Sequence, residues 1–350
     1  MVPMSRKQRV RTALNHQQPD KVPWSLSFTA HARQALADYL GDARLLDEGF
    51  LDEWGGEHLS SVTPASGGQF HVLEEEVSPG LWRDGWGIVW DTRGLFGEGE
   101  WGRPVNAVLE RPSLAGFRFP DPPPPEAYAH YAQSIAQQGD RFILGNEGHL
   151  FEVAWALRGI EDFLADMASH PEFVHELLEG ITEYYLDVID RTMAFDVDAM
   201  AFGEDWGSQN SGLLMGPRLW RQFIKPCLAR MFARVKAAGK FVHIHSDGDV
   251  TAIFPDLIEI GLDVYNPLQP EIMDVYEVKR HYGDRLSFHG GLGVQSILPF
   301  GTPQEVKAEV RRLLREVGAG GGYILSPSHG ITADTPPQNI MAFIEAVQEQ

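Results

Sequence analysis

A single cysteine, Cys227, stands in a chain of 350 residues. One thiol closes no intrachain disulfide and supplies no thiolate-rich zinc cluster, so neither device organises this protein. Cys227 falls among Trp220, Phe223, Ile224, Leu228 and Met231, an apolar periodic stretch that reads as ordinary packing. Long apolar runs are missing as well: nowhere do about 18 consecutive apolar residues escape charge, which excludes a membrane-spanning helix. The basic residues 1–11 lead into a polar run instead of a signal-peptide core, so a cytoplasmic protein without a membrane partner is expected. Cations are scarce too. Against 49 Asp and Glu stand 29 Lys and Arg, a formal charge of −20 at pH 7. That balance repels nucleic-acid backbones and removes nucleic acid as an expected partner, while leaving an oligomer open. No P-loop and no nucleophile elbow occur, and the glycines of residues 289–293 are too few for a dinucleotide fingerprint.

What is present is a repeated unit. Ser5 predicts an N-cap for a helix running to Leu14. Residues 50–125 are dense in Gly and Trp, with Trp54, Gly55, Gly56, Gly67, Gly68, Trp82, Trp86 and Trp90. Residues 70–77 and 88–91 alternate like strands, so this N-terminal elaboration is expected to be a surface addition or an aromatic wall of the pocket. The proline-dense residues 120–125 predict a stiff extended crossing. Beyond them, strands are expected at 141–144, 198–202, 240–244, 264–265, 286–288 and 323–325, each followed by polar residues and a helical pattern. This alternation predicts a parallel sheet with crossover helices. Polar groups end every late strand instead of gathering at one switch point, which favours a closed (β/α)8 barrel of TIM type over an open doubly wound sheet. One such α/β domain over residues 1–350, with the elaboration at about 50–125, is the expected organisation.

Three clusters could carry chemistry. His243, His245 and Asp247 alternate toward one side if the strand persists. His243 lies deeper and also suits a structural hydrogen-bond network. His329, in the Gly/Pro-rich residues 326–330, ends the last strand, and adjacent strand ends can bring it to His245 and Asp247. Two imidazoles and a carboxylate can hold zinc or another divalent metal with one position open. The third cluster is Glu204, Asp205, Trp206 and Gln209, with Glu147 on an earlier strand end. Asp205, Glu147 and Glu204 are candidate proton donors or substrate anchors, and Trp206 is a candidate pocket wall. Gln209, His243, Asn266 and His289 are candidate substrate contacts.

Taken together, RVRTALNHQQPDKVP (9–23), LRGIE (157–161), EDWGSQ (204–209), FIKP (223–226), HSDG (245–248), DVYNPLQP (263–270) and DTPPQN (334–339) span nearly the whole chain. With these motifs the sequence resembles the uroporphyrinogen decarboxylase superfamily, in its branch of corrinoid-linked methyltransferases. The resemblance implies a (β/α)8 barrel and a zinc held by His-x-Cys and a later Cys. His245 matches the histidine, Asp247 stands in place of the first cysteine, and His329 falls where the later one stands. Exchanging two thiolates for Asp and His makes the site harder and less electron-donating. The resemblance therefore implies methyl transfer between a small O- or N-methylated molecule and a corrinoid (cobalamin) on a separate carrier protein, in place of thiol methylation. A metal-dependent lyase or hydrolase without cobalamin, and a non-catalytic protein binding a small ligand or corrinoid, stay open. Porphyrinogen decarboxylation is disfavoured, since the true decarboxylases carry an Arg-Gln-Ala-Gly-Arg signature for the substrate's carboxylates. Residues 23–33 here offer one arginine, Arg33.

Overall fold

Ser5 accepts from the Gln8 N–H while the Gln8 side chain accepts from the Ser5 N–H, and this capping box starts helix α1, Arg6–Leu14. The computed structural model describes residues 3–46, 58–65, 70, 72–93, 102–210 and 212–350. Trp54, Gly55, Gly56, Gly67 and Gly68, singled out above, lie outside them, as does the side chain of Glu147. After α1 the chain turns into a short extended segment. Trp24 bridges Leu325 in parallel, and its carbonyl accepts from the His58 N–H just before strand β1, Leu59–Ser61.

Strand β1 falls within the span expected for the elaboration but pairs with β6 in the barrel wall, and the elaboration's own sheet follows it. Strands β2 (Leu73–Ser78), β3 (Leu81–Asp84), β4 (Val89–Asp91) and β5 (Arg103–Pro104) form this antiparallel sheet in that order. Buried Asp84 holds the β3–β4 turn by accepting from the Trp86 and Ile88 N–H groups and from Trp90 Nε1. Trp86 packs edge-on against Tyr184 of helix Pro171–Met193, with ring centroids 4.8 Å apart. Trp90 is buried edge-on against Phe70, with ring centroids 5.4 Å apart, while Trp82 is half-buried.

The rest of the wall is β6 (Phe142–Gly148), β7 (Ala199–Gly203), β10 (Phe241–His245), β11 (Val264–Leu268), β12 (Ser287–Leu292) and β13 (Tyr323–Pro327), and a separate antiparallel hairpin of β8 (Gly207–Ser208) and β9 (Gly212–Leu213) follows β7. The main sheet runs β1-β6-β7-β10-β11-β12-β13, and each of its pairs is parallel. The Trp24 segment bonds to β13 on one side and to the start of β1 on the other, so it is the eighth stave and closes a (β/α)8 barrel. Strands β7 and β11 are buried along nearly their whole length, as expected of a parallel sheet covered on both faces. Strands β6 and β12 outrun the expected spans, so Glu147 and His289 lie within strands instead of after them. The apolar periodic stretch around Cys227 is helical and is interrupted by a π turn at Trp220–Ile224, next to Pro226, which has no N–H to give an α-helical bond.

At the end opposite the strand C-termini, fully buried Asp198 ties α1 to the wall. Its carboxylate accepts from Arg11 Nη2 at 2.6 Å, from Lys7 Nζ at 3.0 Å and from the Ile143 N–H at 2.8 Å. Asp198→Ala is expected to lower the unfolding free energy by about 2–3 kcal/mol, because the partly exposed cations regain water while the Ile143 N–H does not. Urea unfolding measures this; a loss under about 0.5 kcal/mol would show the cluster to be a surface ion pair in energetic terms.

Candidate metal centre

A parallel barrel delivers the C-terminal ends of all its strands to one rim. Side-chain alternation on β10 turns His243 and His245 inward, and Asp247 continues that row past the strand end. His245 Nε2 lies 3.8 Å from Asp247 Oδ1 and 3.9 Å from Asp205 Oδ1. The His329 ring arrives from the loop after β13, its centroid 6.0 Å from that of His245. One donor atom each from His245, Asp247 and His329 lie within 4.8 Å of one another. Two loops hold this group together. The Asp247 N–H donates to Asp205 Oδ1 at 2.9 Å, and the Gly207 N–H donates to the Asp247 carbonyl. Gly248 has φ +79°, and a Cβ there would sit 2.4 Å from the Gly207 carbonyl carbon, so the β7 and β10 loops touch only because both positions lack side chains.

The residues fit a divalent cation. Zinc with nitrogen and oxygen ligands takes bonds of about 2.0–2.2 Å, which sets tetrahedral donors roughly 3.3–3.6 Å apart. Closing this triad onto an ion needs shifts of about an ångström, within reach of an exposed His329. Burial pushes the Asp247 carboxyl above its ordinary range, opposed by His245 and His329 and reinforced by Asp205. A cation would offset that burial penalty. Behind the site, His245 Nδ1 lies 2.7 Å from Asn266 Oδ1, and Asn266 Nδ2 donates to the His289 carbonyl at 3.1 Å. In front of it opens a cavity of about 550 Å³ lined by Asp247, His329, Gln269, Val294, Phe300, Asp334 and their neighbours, with neither Lys nor Arg among these described residues. Phe300 is 80% exposed at its lip.

Other expected site residues are placed differently. Glu204 is fully buried, and its carboxylate accepts from the Leu150 and Phe151 N–H groups at the start of helix Phe151–Arg158. It caps that helix and does not reach the cavity. Trp206 is also fully buried, edge-on against Trp220 at 5.5 Å, so it supports the loop from behind instead of walling the pocket. His243 Nε2 pairs with His289 Nδ1 at 3.1 Å, and Ser25 Oγ lies 2.9 Å from His289 Nε2. Burial drives both imidazoles down, His289 to about 4 and His243 well below the ordinary histidine value, so the pair is an uncharged buried network. Gln209 is exposed and accepts from Gln269, which in turn accepts from the Gly248 N–H. Ser25, Gln269 and Phe300 were not anticipated. Ser25 precedes Leu26 in a segment read only for its arginines, and the alternation Ser25, Ser27 was the available signal.

The profile of the family described as uroporphyrinogen decarboxylase matches residues 133–350, and the chain belongs to that family. The uroporphyrinogen decarboxylase of Methylococcus capsulatus is 26% identical over 280 residues, covering 74% of this chain and 75% of that protein. The protein of the same name from Chlorobaculum parvum is 26% identical over 188 residues, covering 53% of this chain and 51% of its own length. Among solved structures, a methyltransferase from Methanosarcina mazei superposes with a TM-score of 0.71 at 20% identity over 99% of both chains, a likeness of fold.

Two outcomes are expected. Purified protein should hold about one divalent ion per chain, and Asp247→Ala or His329→Ala should weaken it at least about tenfold; elemental analysis that stays unchanged when all three donors are altered would contradict the assignment. The second concerns Glu204, which burial pushes from 4.5 up to about 8 against the opposing hydrogen bond from Leu150. Between those values the folded chain holds a proton that the unfolded chain has lost, so this group makes stability fall as pH rises through that window. Glu204→Gln should flatten the slope between about pH 5 and about pH 8 in urea unfolding; an unchanged slope would show that Glu204 is ionised in the fold.

Proposed function

We propose that this protein transfers a methyl group from a small O- or N-methylated compound to a corrinoid carried on a separate protein in the cytoplasm. The observation that carries the reading is the convergence of His245, Asp247 and His329, without a thiol, on a cavity whose described lining has no cation. A porphyrinogen would bring many carboxylates beside Asp247 and Asp334 with no guanidinium to meet them. The family name therefore does not carry its reaction across, whereas the Methanosarcina mazei protein of like fold is a methyltransferase, which agrees with methyl transfer.

In this reading His245, Asp247 and His329 would hold a divalent ion, zinc first. When bound, such an ion supplies Lewis acidity to a substrate oxygen or nitrogen, the harder the donor set the more so. The protein's own groups do the rest. Asp205, half-exposed and 3.9 Å from His245 Nε2, is placed to pass a proton from solvent to that heteroatom. When the methyl carbon leaves, the bonding pair stays on the oxygen or nitrogen, and the proton passed on by Asp205 completes the alcohol or amine. Phe300 offers a flat apolar face at the cavity lip, and Gln269 offers amide contacts at its wall.

A panel of O-methyl, N-methyl and thiol compounds, each with and without reduced cobalamin, tests the proposal. O- or N-methyl compounds should methylate the cobalamin. Asp247→Ala should lower the rate by at least about a hundredfold, the scale of losing a Lewis acid worth several kcal/mol. Asp247→Cys should keep part of the metal affinity and lose activity. Fastest reaction with the thiols, or turnover without cobalamin, would contradict the proposal, the latter in favour of a metal-dependent lyase or hydrolase.

A further inference from the structure

An imidazole ligates a cation only through the ring nitrogen that lacks a hydrogen, and the partner of the other nitrogen decides which one that is. At His245 the deciding chain of contacts ends on an atom with no choice. The His289 backbone carbonyl only accepts, and Asn266 Nδ2 lies 3.1 Å from it, so that end of the amide is the NH2 group. Turning the amide over would set two oxygens against each other. The other end is therefore an acceptor, Oδ1, 2.7 Å from His245 Nδ1. An acceptor at that distance requires the hydrogen on Nδ1. Nε2 keeps its lone pair, and it faces Asp247 Oδ1 at 3.8 Å.

We infer that Asn266 is a positioning residue that locks His245 in the Nδ1–H tautomer and presents Nε2 to the cavity. As a statement about metal binding this rests on the reading above; as a statement about the tautomer it does not. The contact is built into the sheet, since His245 and Asn266 are direct partners in the β10–β11 register. Its far anchor is fixed as well, because the His289 ring is held between His243 and Ser25. Both polar atoms of the Asn266 side chain are thus engaged in the barrel wall. The choice of an amide also has a consequence for the ion. A carboxylate behind a ligating histidine raises its basicity, whereas a neutral amide leaves the imidazole a weaker donor and the cation a stronger Lewis acid.

Two variants of the full chain separate the acceptor from everything else Asn266 does. Asn266→Leu removes both polar contacts, and Asn266→Asp keeps an oxygen for His245 while losing the donor to His289. In metal-free protein labelled with 15N-histidine, long-range 1H–15N spectra at neutral pH should place the His245 hydrogen on Nδ1 in the wild type and in N266D, and on Nε2 in N266L. Calorimetric titration with Zn²⁺ should show affinity about 10–100-fold weaker in N266L, and unchanged or tighter in N266D. The wild-type spectrum is decisive even if a variant fails to fold: a hydrogen on Nε2 overturns the inference. So does an N266D protein that binds zinc as weakly as N266L, since the amide would then act only through His289. Wild-type protein with the hydrogen on Nδ1 but no zinc uptake supports the positioning role and overturns the metal reading alone.

Discussion

The site hangs on one register. His245 lies opposite Gly203 of β7 on one side and Asn266 of β11 on the other. In a parallel barrel the side-chain period is two, so a slip of one residue would send His245 outward and bring Ile244 and Ser246 to the interior. Gly203 leaves space beside the imidazole, and Asn266 fills the other side with a hydrogen bond. Two residues further on, the same alternation brings Asp205 and Asp247 to the rim together. The contact between Gly207 and Gly248 then holds their loops side by side.

The two ends of the barrel divide stability from chemistry. At the bottom, charges are paired and serve the fold: Asp198 gathers Arg11 and Lys7 beneath the wall. In the middle, His243 and His289 are polar but uncharged, which suits a packed interior where an unpaired charge costs most. At the mouth, Asp205 and Asp247 stand close together with no cation beside them in the described cavity lining, in a chain that is already strongly negative. Such crowding raises the free energy of the empty site, and a divalent ion or a positively charged group relieves it. Crowding of like charge at the rim, with paired charge at the base, is the electrostatic shape of a binding site.

Much of this was legible because the late strands are continuous apolar runs ending in polar residues, and alternation on residues 241–247 is enough to group His243, His245 and Asp247. The bringing of His329 to them follows from barrel closure. The first staves were not legible. Trp24 makes a single bridge to Leu325, and β1 has three residues, too short for any period to register. Alternation also said that Glu204 and Asp205 cannot both enter the pocket. It could not say that Glu204 would be taken by the N–H groups of Leu150 and Phe151, 54 and 53 residues away in sequence. Asn266 and His289 were recognised as polar residues of the rim, but their pairing across two neighbouring strands is tertiary, and no local pattern encodes it. The family resemblance pointed to His245 and to the altered ligand set at Asp247 and His329, and geometry supplied the reason these residues meet.

The most direct test is X-ray absorption spectroscopy of the zinc-loaded protein. Two imidazole shells and a carboxylate oxygen, all at about 2.0–2.2 Å and with no sulfur, are expected of a centre built on His245, Asp247 and His329. A shell without imidazole, or a sulfur scatterer at about 2.3 Å, would contradict it.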